Sequence, residues 1–565
     1  MKIGTDIMLE CLAKNWIDLA FGYPGWAIMP LYDKLEKFDW IKHILVRNEQ
    51  WAAFAAQWVS RSTDKLWLAI WTSGPWATNL ITWIMDAYMD SIPTLFITGQ
   101  VALSLMWNDV FQEVDIFGAT MSCVKHSFVI RDVQEIPSVV EEAIKIATSW
   151  RPWPVLIDFP KDISMEKFDK KADKIKLNLH YNLEPKNDIK EEKIERFVKL
   201  LNKSEKPILL IWQGIKFSKA EEDLLEFVNS LNIPTVSTLL WKGVLRENNN
   251  NYFWMLWMHW FYEANLAMDN ADLIINIGSR FDDRIVWTYD SFWKNAKIIH
   301  IDIDKSELNK VVKTNLSIHS DAKNFLSRIN NENLTSLKIS KWREQIKNWE
   351  ILHPFQKETN WFSTKNALNS INKITEKNLD NYIFVTDVWQ HQMWAAQIIK
   401  VANTKSWLTS GWAWTMWFWI PTWMWASEVN PDKQVIVIVW DWGVQMNIQE
   451  LQVIAEHNLS VNVIIMNNNY LWMVRQWQDL FFDKNYASTP ITSPDFVKIA
   501  DAYWIRWYRV ENEESLEKIL EKEFNKKWPS IIEVTKILDE DNIFPMVAPW
   551  MSLWKTIWSW KCLNK

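Results

Sequence analysis

Short apolar runs alternate with stretches of helical periodicity along almost the whole chain. Runs such as PILLIW (207–212), ADLIINIG (271–278) and QVIVIVW (434–440) are rich in β-branched residues and too short for helices of ordinary length. Strands of this kind, separated by helical patterns of about 10–20 residues, are typical of parallel sheets covered by helices on both faces. The pattern predicts an α/β protein built from doubly wound parallel sheets.

Two polar stretches divide this pattern into three blocks. Residues 164–195 are charged and contain no long apolar run, and residues 325–375 are rich in Asn, Lys, Ser and Thr. Stretches of this composition cannot bury much apolar surface, so they are interpreted as boundaries between domains. We therefore expect three domains, at about 1–165, 190–345 and 365–550, each with its own sheet.

Charge and cysteine content exclude several classes of function. The net charge of −7 offers no basic surface to nucleic acid or to an anionic membrane. The three cysteines, Cys11, Cys123 and Cys562, are far apart in sequence, as in a reduced cytoplasmic protein, which argues against disulfides and a thiolate metal site. The first residues enter a helical pattern directly, and no run of 18 apolar residues lacks charges or turn signals. We expect a cytoplasmic protein that binds neither nucleic acid nor membrane.

The contents of glycine and tryptophan are unusual. The chain has 11 Gly and 42 Trp, although an ordinary protein has about 7% Gly. The effect is visible at the end of the run 434–440, where Asp441 lies between Trp440 and Trp442. In most α/β proteins the turn at this place contains glycine, because the backbone approaches a phosphate or a metal there. Tryptophan would obstruct such an approach.

Asp441 is nevertheless a candidate metal ligand. It follows one predicted strand, and Asn468 follows the next one, VNVIIMN (461–467). Carboxylate and amide oxygens at neighbouring strand ends can share a hard cation that also bridges a diphosphate. On these residues alone, the plainer interpretation of two loop residues at strand ends stays open.

Glycine at 440 and 442 would turn the stretch into G-D-G followed by N-N, which resembles the metal-binding motif of thiamine diphosphate enzymes. Other segments are similar to the large catalytic subunit of the acetohydroxyacid synthase (acetolactate synthase) family, in the family's order and over nearly the whole chain. They include FGYPGWAIMPLYDKL (21–35), LVRNEQWAAFAAQWVSR (45–61), TSGPWATNLITWIMDAYMDSIPTLFITGQ (72–100), FQEVD (111–115), GSRFDDR (278–284), KIIHIDID (297–304), DVWQHQMWAAQ (387–397), TSGWAWTMWFWIP (409–421) and LWMVRQWQ (471–478). On these segments the chain is identified as a member of that family, which implies pyrimidine-binding, FAD-binding and diphosphate-binding α/β domains in that order.

The resemblance implies an activity. Pyruvate would be decarboxylated on thiamine diphosphate, and the hydroxyethyl group would be ligated to pyruvate or 2-oxobutyrate, giving 2-acetolactate or 2-aceto-2-hydroxybutyrate for branched-chain amino acid biosynthesis. Another thiamine diphosphate and FAD enzyme, such as pyruvate oxidase, is the alternative, whereas RNEQ (47–50) argues against glyoxylate carboligase, which lacks the glutamate. A chain whose tryptophans are literal could instead be an inactive binding or scaffold protein.

The resemblance places the thiamine diphosphate site on the first and third domains. Glu49 would hydrogen-bond the aminopyrimidine ring and start the chemistry, with Gln112 as a second catalytic residue, and Met416 would support the bent shape of the cofactor. The remaining implied contacts are Tyr23, Pro24, Gly25, Thr72, Pro75, Asn79, Gln390 and His391. Because the two sides come from different subunits in this family, we expect a homodimer or homotetramer, while the binding of a regulatory small subunit is left open.

Magnesium and FAD are implied as well. Mg²⁺ would be bound by Asp441, the Asn468 side chain and the Tyr470 carbonyl group. FAD would bind the central domain, where cationic and hydrogen-bonding groups suit a dinucleotide, and it is not needed as a redox centre for the carboligation. Its implied contacts are Arg151, Thr238, Met258, His259, Arg280, Asp282, Arg284, Asp302 and Asp321.

A substrate channel is implied by the segment LWMVRQWQ. Met473, Val474 and Trp477 would line it, and Trp477 would favour 2-oxobutyrate by packing on its extra methyl group. Phe111 and Lys161 match other channel positions, although an ordinary surface lysine remains an alternative for Lys161.

Tryptophan stands at many positions where the family pattern has glycine. These are Trp16, Trp26, Trp51, Trp58, Trp71, Trp76, Trp83, Trp107, Trp153, Trp254, Trp257, Trp260, Trp389, Trp412, Trp414, Trp417, Trp419, Trp425, Trp440, Trp442, Trp472, Trp528 and Trp550. Trp394 and Trp477, in contrast, match family tryptophans. Random substitution would have scattered many residue types through these motifs. Our hypothesis is that the gene belongs to a lineage that reads the UGA codon as glycine, whereas this sequence results from translating UGA as tryptophan.

Overall fold

Three six-stranded sheets form the framework of the chain, and neighbouring strands in each sheet pair in parallel. In the computed structural model these sheets lie at residues 19–160, 207–319 and 382–534. The structure describes every residue except 64, 172–174, 176, 178, 180–188, 257–260, 283–292, 294, 335, 354–360, 417–418, 420–425, 428, 539–545, 548–555 and 558–565. The predicted class, three α/β domains with doubly wound parallel sheets, is confirmed.

The first domain carries its helices between the strands of one sheet. Its strands are β1 (Leu19–Gly22), β2 (Lys42–Leu45), β3 (Trp67–Trp71), β4 (Thr94–Gln100), β5 (His126–Val129) and β6 (Val155–Pro160). Its helices are α1 (Gly4–Lys14), α2 (Met29–Leu35), α3 (Glu49–Thr63), α4 (Pro75–Thr78), α5 (Ile81–Met89), α6 (Ile116–Thr120), α7 (Ile136–Thr148) and α8 (Lys161–Met165). The strand order is β2-β1-β3-β4-β6-β5. The loops after β1 and β3 are therefore neighbours at one edge of the sheet.

The central domain repeats this plan. Its strands are β7 (Pro207–Ile211), β8 (Thr235–Ser237), β9 (Tyr252–Met255), β10 (Leu273–Ile277), β11 (Lys297–Asp302) and β12 (Leu316–His319), in the order β12-β11-β10-β7-β8-β9. Its helices are α9 (Glu191–Asn202), α10 (Gly214–Phe217), α11 (Glu221–Leu231), α12 (Tyr262–Asn270), α13 (Ala322–Asn330) and α14 (Ser340–Leu352). The loops after β7, β10 and β11 meet at one edge, because these strands are adjacent.

The third domain has the same architecture. Its strands are β13 (Tyr382–Thr386), β14 (Trp407–Leu408), β15 (Gln434–Trp440), β16 (Val461–Met466), β17 (Arg506–Val510) and β18 (Ser530–Val534), in the order β14-β13-β15-β16-β18-β17. Its helices are α15 (Thr364–Thr375), α16 (Gln390–Ile398), α17 (Asp441–Gln445), α18 (Leu451–His457), α19 (Trp472–Phe481), α20 (Phe496–Ala502) and α21 (Glu513–Glu523). A short antiparallel pair, β19 (Met546–Val547) and β20 (Thr556–Ile557), follows. All seven residues of β15 are buried, as expected for a central strand covered on both faces.

Each of the longer helices has one apolar face, which packs against the core. In α9, for example, Ile194, Phe197 and Leu201 are buried at helical spacing, while Glu191 and Glu192 lie in the first turn, where the helix dipole favours negative charge. Among the helices that the structure describes, none has the length and apolar character that crossing a membrane requires.

The first and third domains share one hydrophobic cluster. Phe54 of α3 and Trp83 of α5 belong to the same buried cluster as Val437 of β15 and Leu451 of α18. Burying a large apolar side chain contributes about 1.5–3 kcal/mol, so this cluster fixes the two domains against each other. Helices α3 and α5 are consequently in contact with the domain that contains Asp441.

Several tryptophans have a backbone conformation that suits glycine. Among the described residues, eight tryptophans have a positive φ, and five of these stand where the family pattern has glycine. These five are Trp16 (63°), Trp107 (68°), Trp254 (61°), Trp389 (94°) and Trp414 (48°). A bulky residue rarely adopts positive φ, because its Cβ clashes with the backbone, whereas glycine adopts it without cost. The geometry at these positions favours glycine independently of the motif comparison.

Candidate functional site

Asp441 lies at the carboxyl end of β15, where it begins α17 and is fully buried. Its Oδ2 atom accepts hydrogen bonds from the Asn469 backbone N–H, at 2.9 Å, and from the Ser493 hydroxyl, at 2.8 Å. Burial raises the pKa of the carboxyl group to about 6, although these hydrogen bonds act in the opposite direction. Because an adjacent cation would favour the charged form, the position suits a metal ligand.

The two other predicted metal ligands lie beside Asp441. Asn468 and Tyr470 follow β16, which pairs with β15 in parallel. The Asn468 amide group is 3.2 Å from the Tyr470 carbonyl oxygen and 2.7 Å from the Trp472 indole nitrogen. In the described part of the chain, no group of three or more His, Cys, Asp or Glu is placed to hold a metal ion. The oxygen donors here come instead from a carboxylate, an amide and a carbonyl group, which fit Mg²⁺.

Gln390 and His391 are the first residues of α16. This helix follows β13, which is the neighbour of β15, so its first turn lies near Asp441. The Gln390 Nε2 atom donates to Gln476 Oε1 at 3.0 Å. The His391 ring packs edge-on against Trp440, with ring centroids 5.3 Å apart, and burial lowers its pKa to about 3. The imidazole is therefore neutral at physiological pH. Both side chains are buried at the first turn of a helix, an end that attracts anions such as phosphate groups.

A cavity of about 570 Å³ adjoins this region and collects the predicted channel residues of the third domain. Met473, Val474 and Trp477 of α19 line it, and the Trp477 ring contacts Phe481 at 5.9 Å between centroids. All its described lining residues lie between 389 and 487. The cavity is apolar, so it can bind the hydrocarbon part of a small substrate and exclude water.

Indole side chains occupy part of the space around Asp441. The rings of Trp389 and Trp442 are 5.0 Å apart, and Trp389 and Trp414 both line the cavity. The hydrogen-bonding groups of the site therefore fit a metal diphosphate, while the indoles reduce the room for it. Glycine at these three positions would remove the obstruction without moving a donor atom.

The predicted residues of the first domain gather at the carboxyl ends of β1 and β3. Thr72 Oγ1 accepts a hydrogen bond from the Ala27 N–H at 3.2 Å, and a Cβ atom at Gly25 would lie 2.5 Å from Thr72 Cγ2. Gly74 has a φ of 73°, and its Cβ position would be 2.9 Å from the Cβ of Gln112. Three loops thus touch in places where a side chain would not fit.

Tyr23 and the backbone of Glu49 lie at the same edge of the sheet. The Tyr23 ring stacks on Trp76 at 5.8 Å, and Glu49 is the first residue of α3, after the loop that follows β2. Because β2 pairs with β1, the backbone at Glu49 is near the other predicted residues. The predicted contacts Pro24, Pro75 and Asn79 belong to the same loops and to α4.

Phe111 and Lys161, the predicted channel residues of the first domain, do not line the cavity of the third domain. Phe111 is 86% exposed. Lys161 begins α8, and its Nζ atom lies 3.3 Å from the ring centroid of Trp26. Within one chain, the structure does not bring these two residues to Trp477.

Glu450, which sequence reasoning missed, supports the loop before Glu49. Its buried carboxyl group accepts from the Arg47 backbone N–H at 3.0 and 3.3 Å, and Arg47 also forms an ion pair with Glu456 of α18. Burial raises the pKa of Glu450 to about 8, with the Arg47 N–H and charge opposing the shift. The third domain therefore holds the start of α3 through a carboxyl group that is protonated at neutral pH.

We predict that Glu450→Gln makes stability less dependent on pH. Between the ordinary pKa of 4.5 and about 8, folded Glu450 keeps a proton that the unfolded chain releases, so the free energy of unfolding falls as pH rises through this range. The variant can still accept a hydrogen bond from the Arg47 N–H. Between pH 5 and pH 8 its free energy of unfolding should fall by at least about 1 kcal/mol less than that of the wild type. Urea unfolding at both pH values measures this. Glu456→Gln is the control, and an equal pH dependence in wild type and Glu450→Gln would contradict the prediction.

A cavity in the central domain brings together several predicted FAD contacts. Arg151, Arg280, Asp302 and Asp321 line it, with the backbone of Gly214. The Nε and Nη2 atoms of Arg280 are buried without a hydrogen-bond partner in the described residues. Burial lowers the pKa of Arg280, and the charge of Arg151 adds to this shift. A buried guanidinium group with unused donors fits the phosphate oxygens of a dinucleotide.

Arg151 is held by fixed partners at the edge of this cavity. It donates to Ser91 Oγ at 2.9 Å and forms ion pairs with Asp304 and Glu307, both at 3.1 Å. These contacts orient the guanidinium group, so it needs little rearrangement to meet a ligand.

The other predicted FAD contacts are less well defined. Thr238 follows β8, and its buried hydroxyl has no hydrogen-bond partner among the described residues. The charge of Asp282 raises the pKa of Arg280, opposing the effect of burial. Met258, His259 and Arg284 lie outside the described residues.

Sequence reasoning also missed Ser493 and Gln476, the partners of Asp441 and Gln390. They are 52 and 86 residues away from those partners along the chain. Gln476 lies in LWMVRQWQ, which marked it only as part of a similar segment, and Ser493 had no local signal.

Comparison with protein families agrees with the three-domain architecture. Residues 2–119 match the thiamine pyrophosphate enzyme N-terminal TPP binding domain. Residues 194–329 match the thiamine pyrophosphate enzyme central domain, and residues 387–534 match the C-terminal TPP binding domain. The matches occur in the order of the three sheets.

Individual proteins are similar over nearly the whole chain. The acetolactate synthase large subunit of Cyanidium caldarium is 39% identical over an alignment of 565 positions, which covers 97% of this chain and 95% of that protein. The large subunit of Lactococcus lactis subsp. lactis (strain IL1403) is 38% identical, covering 96% of this chain and 94% of its own. That of Haemophilus influenzae (strain ATCC 51907 / DSM 11121 / KW20 / Rd) is 34% identical and covers 96% of both chains.

Proposed function

The chain belongs to the acetolactate synthase large-subunit family of thiamine pyrophosphate enzymes, and from that premise we propose that it condenses two molecules of pyruvate to 2-acetolactate with release of CO₂. With 2-oxobutyrate as acceptor, the product is 2-aceto-2-hydroxybutyrate. Both products serve branched-chain amino acid biosynthesis.

The position of the metal ligands carries the proposal. Asp441, Asn468 and Tyr470 lie together at the carboxyl ends of β15 and β16, and the apolar cavity formed by α19 begins a few residues further on. We propose that these three residues hold Mg²⁺ and, through it, the diphosphate of the cofactor. The diphosphate would receive further hydrogen bonds from Gln390 and His391.

The chain's own residues have three tasks in the reaction. When bound, thiamine diphosphate would supply a nucleophilic carbon and an acceptor for the electrons released as CO₂ leaves. Glu49 would keep a proton at the aminopyrimidine ring, and Gln112 with the backbone at Gly74 would orient that ring. Trp477 and Met473 bind the acceptor and exclude water, which protects the carbon–carbon bond formation from competing protonation.

FAD is proposed as a structural cofactor of the central domain. Arg280 has buried donors without a partner among the described residues, and these donors, together with the fixed guanidinium of Arg151, support a dinucleotide there. The ligation itself transfers no electrons to a flavin, so FAD would act on the shape of the site.

We further propose that the active enzyme is at least a homodimer. The described lining of the third-domain cavity comes entirely from residues 389–487, whereas Glu49 belongs to the first domain. A second copy of the chain can supply the missing side of the site. The binding of a regulatory small subunit and the cytoplasmic location stay predictions.

Acetolactate formation tests the proposed function. The purified protein is incubated with pyruvate, thiamine diphosphate and Mg²⁺ under nitrogen, with and without FAD, and acetolactate and CO₂ are measured. We expect equal amounts of the two products without oxygen, and loss of activity when EDTA removes the metal. In a parallel incubation in air with inorganic phosphate, oxygen consumption with acetyl phosphate as product would contradict the proposal and favour a pyruvate oxidase.

A further inference from the structure

A buried ionic cluster joins the first and third domains. Arg61 of α3 contacts Asp86 of α5 and Asp90, the residue that follows this helix, with Nη2 at 3.4 Å from Asp86 Oδ2 and 2.7 Å from Asp90 Oδ2. The three side chains are 5% exposed or less. Two carboxylates and one guanidinium group leave an excess negative charge, which burial makes costly unless other donors compensate.

The compensating donors come from one segment of the third domain, residues 409–415. The hydroxyls of Ser410 and Thr415 donate to Asp86 Oδ1 at 2.8 and 2.6 Å. The backbone N–H groups of Gly411 and Trp412 donate to the two oxygens of Asp90 at 3.1 and 3.0 Å. The last two contacts use backbone atoms, so they exist whether position 412 is tryptophan or glycine.

Arg61 completes the attachment of this segment. Its Nη1 atom donates to the Thr409 carbonyl oxygen at 3.2 Å. Five hydrogen bonds therefore link the cluster to residues 409–415, and Met416 is the next residue. Buried ion pairs add little net stability on average, so five charge-assisted bonds to one short segment indicate a role in positioning it.

The cluster also reaches the FAD cavity. Lys216 of α10 donates to the Arg61 carbonyl oxygen at 2.7 Å, and Gly214 of the same helix lines that cavity. The Arg280 guanidinium, which lines the same cavity, lies 5.8 Å from the Trp412 ring, a contact that glycine at 412 would not make. All three domains thus meet at Arg61 and Asp90.

We propose that Asp86 and Asp90 are positioning residues for the thiamine site: they hold residues 409–415, and thereby Met416, in place, and Arg61, the ion-pair partner of Asp90, connects this segment through Lys216 to the helix that borders the FAD cavity. Neither aspartate contacts the cofactor in this role. The proposal rests on the proposed function, and it gives FAD a physical route by which it can influence a reaction that does not use its electrons.

Hydrogen exchange in the absence of cofactors tests the first step. In Asp90→Asn, an NH₂ group replaces one carboxylate oxygen, so one of the Gly411 and Trp412 N–H groups loses its acceptor. Peptides covering 409–416 should therefore exchange at least about tenfold faster than in wild type. The matched control is Glu523→Gln, which also alters a fully buried carboxylate with an arginine partner, Arg506 at 2.9 Å, but in α21 of the third domain. Unchanged exchange at 409–416 in Asp90→Asn would overturn the proposal.

Cofactor titration tests the second step. The dissociation constant of thiamine diphosphate, measured calorimetrically with Mg²⁺, should rise about tenfold in Asp90→Asn and stay the same in Glu523→Gln. FAD should lower the dissociation constant of thiamine diphosphate in wild type. In Asp90→Asn, the change in the logarithm of this constant on adding FAD should be at most half as large. Faster exchange without weaker cofactor binding, or an unchanged FAD effect, would contradict the positioning role.

A second pair of variants covers the case in which Asp90→Asn does not fold. Thr415→Val removes one hydroxyl donor to Asp86, and Thr415→Ser keeps it. We expect faster exchange at 409–416 and weaker cofactor binding for valine, with serine close to wild type. Equal behaviour of valine and serine would overturn the proposal. If wild type binds no thiamine diphosphate, the proposed function fails first, and the titration separates that result from failure of the positioning role.

Discussion

Glu49→Gln should lower kcat for acetolactate formation by about 10²–10⁴-fold, the range for loss of an acid–base group. Glutamine is almost isosteric with glutamate, but it cannot hold a negative charge against a protonated ring nitrogen of the cofactor. The activation of thiamine diphosphate depends on that proton, whereas its binding depends mainly on the metal and the diphosphate. We therefore expect a large loss in kcat with little change in the dissociation constant of the cofactor.

Steady-state kinetics with saturating cofactors and calorimetric titration measure the two quantities separately. Glu36→Gln is a suitable control, because Glu36 is exposed at the end of α2. A reduction in kcat of less than about tenfold would show that Glu49 does not carry this role. Equal losses in kcat and cofactor affinity would instead identify Glu49 as a binding residue.

Glycine in place of the unusual tryptophans should convert a poorly binding chain into one that binds thiamine diphosphate and Mg²⁺. Trp389 and Trp442 narrow the space beside Asp441, and Trp389 and Trp414 adopt positive φ. Each such conformation costs a bulky residue about 1–3 kcal/mol, so glycine removes both strain and obstruction. We expect the glycine form to bind the cofactor at least 100-fold more tightly and to unfold at a higher temperature.

The mass of the protein from its native source decides the same question directly. We expect an intact mass several kilodaltons below 67.3 kDa, because glycine is much lighter than tryptophan. A mass that agrees with 67.3 kDa would refute the decoding hypothesis. The codons at 394 and 477 give a further check, since both should be UGG.

Trp394→Gly is the control for the stability measurement. Trp394 is fully buried in the middle of α16, and it matches a family tryptophan. Its removal leaves a cavity and adds a glycine to a helix, which should lower the free energy of unfolding by about 3–5 kcal/mol. Opposite effects at 389 and 394, five residues apart, would separate misread glycines from true tryptophans.

Local sequence patterns were sufficient for much of the fold and part of the site. The strands that lead to Asp441 and Asn468 were evident from runs such as QVIVIVW, because a strand covered on both faces must be apolar throughout. Two residues at the ends of adjacent parallel strands necessarily lie at the same edge. The proximity of Asp441 to Asn468 and Tyr470 was therefore predictable, and resemblance to a family supplied the chemistry.

The supporting residues could not be predicted in this way. Ser493, Glu450 and Asp90 are ordinary polar residues in sequence, and none has a spacing that indicates a role. Each becomes informative only when its partner is known, and those partners are 52, 403 and 321 residues away. The burial of the Glu450 and Asp90 carboxyl groups depends on how the domains pack against each other. Hydrophobic periodicity carries no information about the packing of domains.

The sequence by itself determined the strands, the three sheets and the candidate ligands, because hydrophobic periodicity and short motifs act over a few residues. It also revealed that tryptophan replaces glycine in those motifs. Only the tertiary structure decided which of these positions have positive φ, and that Asp86 and Asp90 hold residues 409–415 across a domain boundary. These features depend on contacts between segments that are distant in sequence. Such contacts contribute to stability only when the domains have packed against each other.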